Sequence, residues 1–162
     1  MLNFLFNLFL KDEKVSLGNW ARAESYAFDI IQDLNHWTCA WVDWNIALDE
    51  HGGPLYVKNP VDSPIIVNAS SNEYYKQPMY YALAHFSKFL PPNSVRLQNT
   101  VFGGSKNVYA TAFRDPKGHV IVIVLNRGKK DQLIKIKGAY DILISHVATA
   151  RSITTFYGKN NM

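Results

Sequence analysis

The sequence holds a single cysteine, Cys39, so an internal disulfide is excluded. Flanked by Trp37, Ala40 and Trp41, that thiol reads as a small buried hydrophobe rather than a reactive group. Charge of one sign is scarce as well. The 17 Lys+Arg against 13 Asp+Glu leave only +4, and Lys129-Lys130 is the one adjacent basic pair, so no stripe for a phosphate backbone is available and no nucleic-acid partner is expected. Long apolar runs are missing too: Met1 to Leu10 (MLNFLFNLFL) is about half of the roughly 20 residues a membrane span needs, and no transmembrane span is expected. With no basic residue ahead of that run and Lys11-Asp12-Glu13-Lys14 behind it, no signal peptide is evident. At 162 residues the chain also falls short of the about 250 that a closed (β/α)8 barrel requires, which excludes a whole barrel from this stretch.

What is present is globular chemistry, 48% hydrophobic and 14% aromatic. From Trp20 to Asn35 the apolar residues Tyr26, Ala27, Ile30, Ile31 and Leu34 recur at helical spacing, with Arg22, Glu24, Asp29, Gln32 and Asp33 on the other faces. Trp37 to Trp44 (WTCAWVDW) is short, aromatic and nearly continuously apolar, which predicts a strand buried on both faces. A long loop follows from Asn45 to Pro64, carrying Gly52-Gly53-Pro54, Asn59-Pro60 and Ser63-Pro64. After an extended piece, Ile65 to Val67, the spacing predicts a helix over Glu73 to Leu90 with Pro78 in its first turn, ended by Pro91-Pro92-Asn93. Beyond that boundary the β-rich runs Val95–Val101, Val108–Phe113, His119–Leu125, Leu133–Ile136, Ile142–Val147 and Ile153–Tyr157 alternate with turn signals and predict an antiparallel sandwich.

Local chemistry is sparse. His36, His51, His85, His119 and His146 have no helical pairing with one another or with Cys39, so neither a metal nor a cofactor is expected. Gly103-Gly104-Ser105-Lys106 lacks the frame of a phosphate loop and reads as a hairpin turn. The informative place is Asp43-Trp44-Asn45, at the end of the predicted strand and before the long loop. Trp44 offers an apolar face to a sugar ring, and the amides of Asn45 and Asn59 can bond hydroxyls. On the competing reading, Trp44 fills a core and Asn59 nucleates the turn before Pro60. Asn68-Ala69-Ser70 has the form of an N-glycosylation acceptor.

The segments LGNWARAESY, AWVDWNIAL, GGP, VDSPIIV, EYYKQPMYYALAHFSKFLPP and VIVLNR closely resemble the C-terminal part of glucosylceramidases, the acid β-glucosidases of glycoside hydrolase family 30. The resemblance runs from about Val15 to about Tyr157. It implies an α/β plus all-β chain, the C-terminal piece of a (β/α)8 TIM barrel followed by an antiparallel β-sandwich. Residues 1–14 are then an unmatched apolar segment, 15–91 the last helix–strand–helix units of the barrel, and 92–162 the sandwich. Members hydrolyse the β-glucosidic bond of glucosylceramide with retention, using two glutamates about 5 to 5.5 Å apart. Glu13, Glu24, Glu50 and Glu73 match neither catalytic motif, so no catalytic residue is expected here and the isolated chain is predicted inactive. The resemblance further implies that Trp44 and Asn59 line the glucose site, with Asp43 and Asn45 behind them. Pro60 stands where relatives commonly have Phe, a departure that bears on the loop's conformation. It also implies a lysosomal or secreted location, a part in sphingolipid metabolism, and glucosylceramide, a saposin-type activator and a lipid surface as partners. The alternative is a non-catalytic binding or interaction module, the sandwich from about Pro92 onward.

Overall fold

The computed structural model describes residues 14–102, 105–138 and 143–159. The apolar run at the start, Glu13 and the Gly103-Gly104 turn therefore lie outside the described residues. Contacts divide the chain into two interleaved units, Met1–Ala23 with Val42–Tyr81, and Glu24–Trp41 with Ala82–Met162.

Helix α1 spans Trp20–Asn35, as the periodicity predicts. Asn19 caps it, its Oδ1 accepting the Ala21 N–H at 3.1 Å, and Ala23, Tyr26, Ala27, Ile30 and Ile31 form its buried stripe. Arg22 and Glu24, expected on the polar faces, are buried instead. Each is neutralised by a partner far away in sequence: Arg22 by Asp62, and Glu24 by a two-bond fork from Arg151 at 2.9 and 3.0 Å.

The strand expected over Trp37–Trp44 does not form. At the end of α1, Trp37 takes a left-handed φ of 70°, and the Thr38 N–H turns back to the Asp33 carbonyl at 3.1 Å, a helix-terminating geometry. A strand buried on both faces also needs neighbours to complete its hydrogen bonds. None pairs with this stretch among the described residues, and Trp37, Val42 and Trp44 are 76%, 86% and 82% exposed. Cys39, expected to be buried with them, is exposed for the same reason.

In the first unit, β1 (Ala47–Asp49) pairs in parallel with β2 (Ile65–Asn68), which pairs antiparallel with β3 (Glu73–Lys76). The helix predicted from Glu73 thus starts later, as α2 over Pro78–Ser87. Pro78 is the reason: it serves well as the first helical residue but biases the residue before it towards extended backbone. Gln77 takes that place outside the helix, and Glu73–Lys76 ahead of it pairs with β2 instead.

The second unit matches the β-rich expectation closely. A four-stranded antiparallel sheet runs β4 (Val95–Leu97), β5 (Val108–Arg114), β6 (Val120–Asn126), β9 (Ser152–Gly158), and β7 (Gln132–Lys137) pairs with β8 (Leu143–Ala148). Central strand β6 contributes Ile121, Ile123 and Leu125 to the core. Register places Thr111 and Phe113 on the same face as these residues. Asn35, the last residue of α1, is pinned to β5 there: its Nδ2 donates to the Ala110 carbonyl at 2.9 Å and its Oδ1 accepts the Thr111 hydroxyl at 2.9 Å.

The β5–β6 turn is built by Asp115. Its Oδ1 accepts the Lys117 and His119 N–H groups at 2.9 and 2.7 Å, and Gly118 takes a φ of 85°. Burial works against the Asp115 charge, but the hydrogen bonds from His119 and Lys117 outweigh it and hold the carboxyl below its usual range. Asn126 closes the other end of β6. Fully buried, its Oδ1 accepts the Gly128 N–H at 2.9 Å while Nδ2 faces the carbonyls of Lys130, Ala148 and Thr149 at 3.0, 3.1 and 2.9 Å.

Candidate functional site

The loop between β1 and β2 is clamped at both ends. At its start, Asp49 Oδ1 accepts the His51 and Gly53 N–H groups, each at 2.8 Å. Those bonds, Gly53's first and His51's second, lower the Asp49 carboxyl below its ordinary value. The backbone closes the same turn, Asp49 N–H to Gly53 carbonyl at 2.6 Å and Gly52 N–H to Asp49 carbonyl at 3.0 Å. Gly52 is obligatory there. Its φ is 77°, and a Cβ would lie 2.6 Å from the Val61 carbonyl oxygen.

At the far end of the loop, buried Asp62 receives Arg22 on Oδ2 and Gln77 on Oδ1, with the Ser63 N–H at 2.9 Å on Oδ1 and the Ser16 N–H at 3.3 Å on Oδ2. Gln77 is buried too and turns its Oε1 to the Gly18 N–H at 3.0 Å. A buried carboxylate so surrounded is a structural anchor, because its charge is matched and its lone pairs are filled.

Between the clamps the loop is open to solvent. Leu55, Tyr56 and Val57 are exposed. Asn59 is exposed as well, on a tight turn in which its N–H meets the Val57 carbonyl at 2.6 Å. Upstream of β1, Trp44 presents its ring to solvent while its N–H bonds Asp43 Oδ1 at 2.8 Å. Asp43 and Asn45 are half-buried on either side of it. Trp44 and Asn59 thus stand on exposed backbone flanking the β1–β2 pair, with no hydrogen bond joining them among the described residues. A flat indole and an unburied amide can bind a polyol without titrating, the ring by apolar contact and the amide by hydrogen bonding.

Several acidic side chains among the described residues are held by partners of their own. Buried Glu24 and Asp62 are matched by Arg151 and Arg22, and Asp115 is hydrogen-bonded by His119 and the turn that follows it. Glu50 and Glu73 lie exposed at the surface. Among the described residues no group of three or more His, Cys, Asp or Glu could hold a metal ion. No helix there is long and apolar enough to cross a membrane. The sequence reading overlooked Asp49 and Asp62, yet Asp49-Glu50-His51-Gly52-Gly53 carries the Asp-then-Gly signal of a turn.

The glycosyl hydrolase family 30 TIM-barrel domain matches residues 7–90, and the family 30 beta sandwich domain matches residues 93–156. The chain belongs to glycosyl hydrolase family 30. Among family relatives it is 51% identical over 120 residues to putative glucosylceramidase 3 of Caenorhabditis elegans, covering 74% of this chain and 23% of that protein. It is 40% identical over 145 residues to the lysosomal acid glucosylceramidase of Mus musculus, covering 90% of this chain and 28% of that one. This family 30 chain therefore spans about a quarter of the curated relatives it matches. SrfJ from Salmonella typhimurium has the same fold over 98% of this chain and 37% of its own, with a TM-score of 0.82 at 18% identity. The architecture is thus the C-terminal part of the family's barrel followed by its β-sandwich.

Proposed function

We propose that this family 30 chain is the C-terminal part of a glucosylceramidase, a retaining hydrolase of the β-glucosidic bond of glucosylceramide in sphingolipid metabolism. The carrying observation is the match to both family domains in order, together with 51% and 40% identity to proteins named glucosylceramidase. Retention requires an acid/base and a nucleophilic carboxylate flanking the bond about 5 to 5.5 Å apart. Glu13, Glu24, Glu50 and Glu73 match neither catalytic motif, which supports the reading that the 162 residues alone are inactive.

Within the whole enzyme, Trp44 packs against the glucose ring and Asn59 bonds its hydroxyls, with Asp43 and Asn45 holding Trp44 from behind. The division is residues 1–14, then the last barrel units to residue 91, then the sandwich from 92. The mouse relative's name supports a lysosomal location. A lipid surface and a saposin-type activator are the remaining proposed partners. A free-standing sandwich module beginning at Pro92 is disfavoured, because Glu24 and Asn35 of α1 supply partners to Arg151 and Thr111.

Two experiments test this reading. The purified 162-residue chain should not turn over a β-glucoside; turnover abolished by Glu13→Gln would refute its inactivity. Placed in the mouse relative in exchange for the matching segment, residues 15–157 should support activity. Trp44→Ala and Asn59→Ala should then each lower kcat/KM about tenfold, the scale of one lost ring contact or hydrogen bond. Full activity in both variants would remove these two residues from the sugar site.

A further inference from the structure

We propose that Asn68 carries an N-linked oligosaccharide. Asn68-Ala69-Ser70 is the sole Asn-X-Ser/Thr run in the sequence. Asn68 is the last residue of β2, and residues 69–72 turn the chain into β3, with Asn72 at a φ of 54°. Ala69, Ser70, Ser71, Asn72 and Glu73 are all exposed, so the acceptor sits at the rim of a solvent-facing hairpin.

The side-chain bonds of Asn68 suit the modification. Its Oδ1 accepts the Ser70 hydroxyl at 2.7 Å and the Ser71 N–H at 3.1 Å. Both bonds polarise the amide, and the first is made by the hydroxyl that defines the acceptor sequence. Nδ2 donates to the Tyr75 hydroxyl at 3.3 Å, and that hydroxyl in turn donates to Glu73 Oε2 at 3.1 Å. The Glu73 carboxylate thereby accepts the hydrogen bond of the Tyr75 hydroxyl and leaves the phenol oxygen's lone pairs free to accept. An amide nitrogen carries two hydrogens, and this network uses one.

In the transfer, Nδ2 forms a bond to the anomeric carbon of a lipid-pyrophosphate-linked oligosaccharide. The bond from that carbon to the pyrophosphate oxygen breaks with its electron pair, and the nitrogen releases one proton. The glycosylated amide keeps one N–H for Tyr75 and its whole Oδ1 for Ser70 and Ser71. The hairpin thus holds the modified side chain with the same hydrogen bonds it gives the bare one.

Natural occupancy rests on the lumenal location proposed above, and the experiment separates the two by supplying that location. The full chain is translated behind an added cleavable signal peptide with microsomes, and chains protected from external protease are analysed by mass. Protected chain should gain the mass of one glycan, removed by peptide-N-glycosidase, which leaves Asp at position 68. Asn68→Gln and Ser70→Ala should abolish the gain, while Ser70→Thr should retain it. A protected wild-type chain of unmodified mass overturns the proposal, wherever the native chain resides.

Discussion

Replacing Asn126 with Ala should destabilise the second unit more than any exposed substitution in it. The amide is fully buried and makes four contacts with backbone: Gly128 N–H, and the carbonyls of Lys130, Ala148 and Thr149. The Nδ2 group has two hydrogens to share among its three carbonyls, so three hydrogen bonds are at stake. At about 0.5–1.5 kcal/mol each, truncation should cost about 1.5–4.5 kcal/mol, a large share of a domain's total stability. Equilibrium urea denaturation followed by circular dichroism reads this cost as a lower midpoint at unchanged slope. Asn126→Asp sharpens the argument, since it keeps the acceptor for Gly128 but turns the second oxygen on three carbonyls. It should therefore be at least as damaging as Ala at neutral pH and should recover as the pH falls and the carboxyl gains a proton to donate. If Asn126→Ala costs under about 1 kcal/mol, or Asn126→Asp equals wild type at pH 7, the four-contact account of this residue is wrong.

Other perturbations follow from the same structure. Asp62→Ala removes the carboxylate that neutralises buried Arg22 and should cost about 3–5 kcal/mol in the same denaturation experiment, whereas a loss under about 1 kcal/mol would contradict its role as anchor. Gly52→Ala forces a Cβ against the Val61 carbonyl at a positive φ, costing about 1 kcal/mol or more and loosening the loop. Limited proteolysis between residues 54 and 60 should accelerate, and an unchanged cleavage rate would count against the clamp. His85 is held below its ordinary 6.5 by burial, with Nδ1 2.8 Å from the Thr155 hydroxyl. The unfolded chain therefore binds the proton more readily, so this contribution is complete above pH 6.5 and declines as the pH drops towards the folded value. His85→Gln should flatten the pH dependence of the urea midpoint across that interval, and an unaltered slope would remove His85 from the explanation.

Local rules read the second unit well because its signals are local. Val108–Phe113 and His119–Leu125 were legible as β-rich runs on either side of the turn signal Asp115-Pro116-Lys117-Gly118, and the strands found differ by one residue at their ends. The apolar run Trp37–Trp44 misled because periodicity cannot tell whether a neighbouring strand is there to pair with. In Glu73–Lys76 the helical spacing of Tyr75 with Met79 lost to pairing with β2, ahead of a helix that begins at Pro78. Buried polar pairs were not legible at all. Nothing near Glu24 announces Arg151, 127 residues away, and nothing near Arg22 announces Asp62. In the candidate site, Trp44 and Asn59 were singled out from their place around the long loop and their sugar-binding role came from the family resemblance, while Asp49 and Asp62 emerged from the hydrogen bonds.

The interleaving of the two units carries a consequence for biosynthesis. A chain that emerges amino end first delivers Arg22, Asp62 and Gln77 by residue 77, so the polar network of the first unit can close early. The helical residues Tyr26, Ala27, Ile30 and Ile31 belong to the other unit, whose sheet is complete only once β9 and Arg151 have been made. Their apolar stripe must wait, solvated or chaperoned, while the segment after it folds. Such long-range closure is slow, and the waiting helix is exposed to misassembly during synthesis.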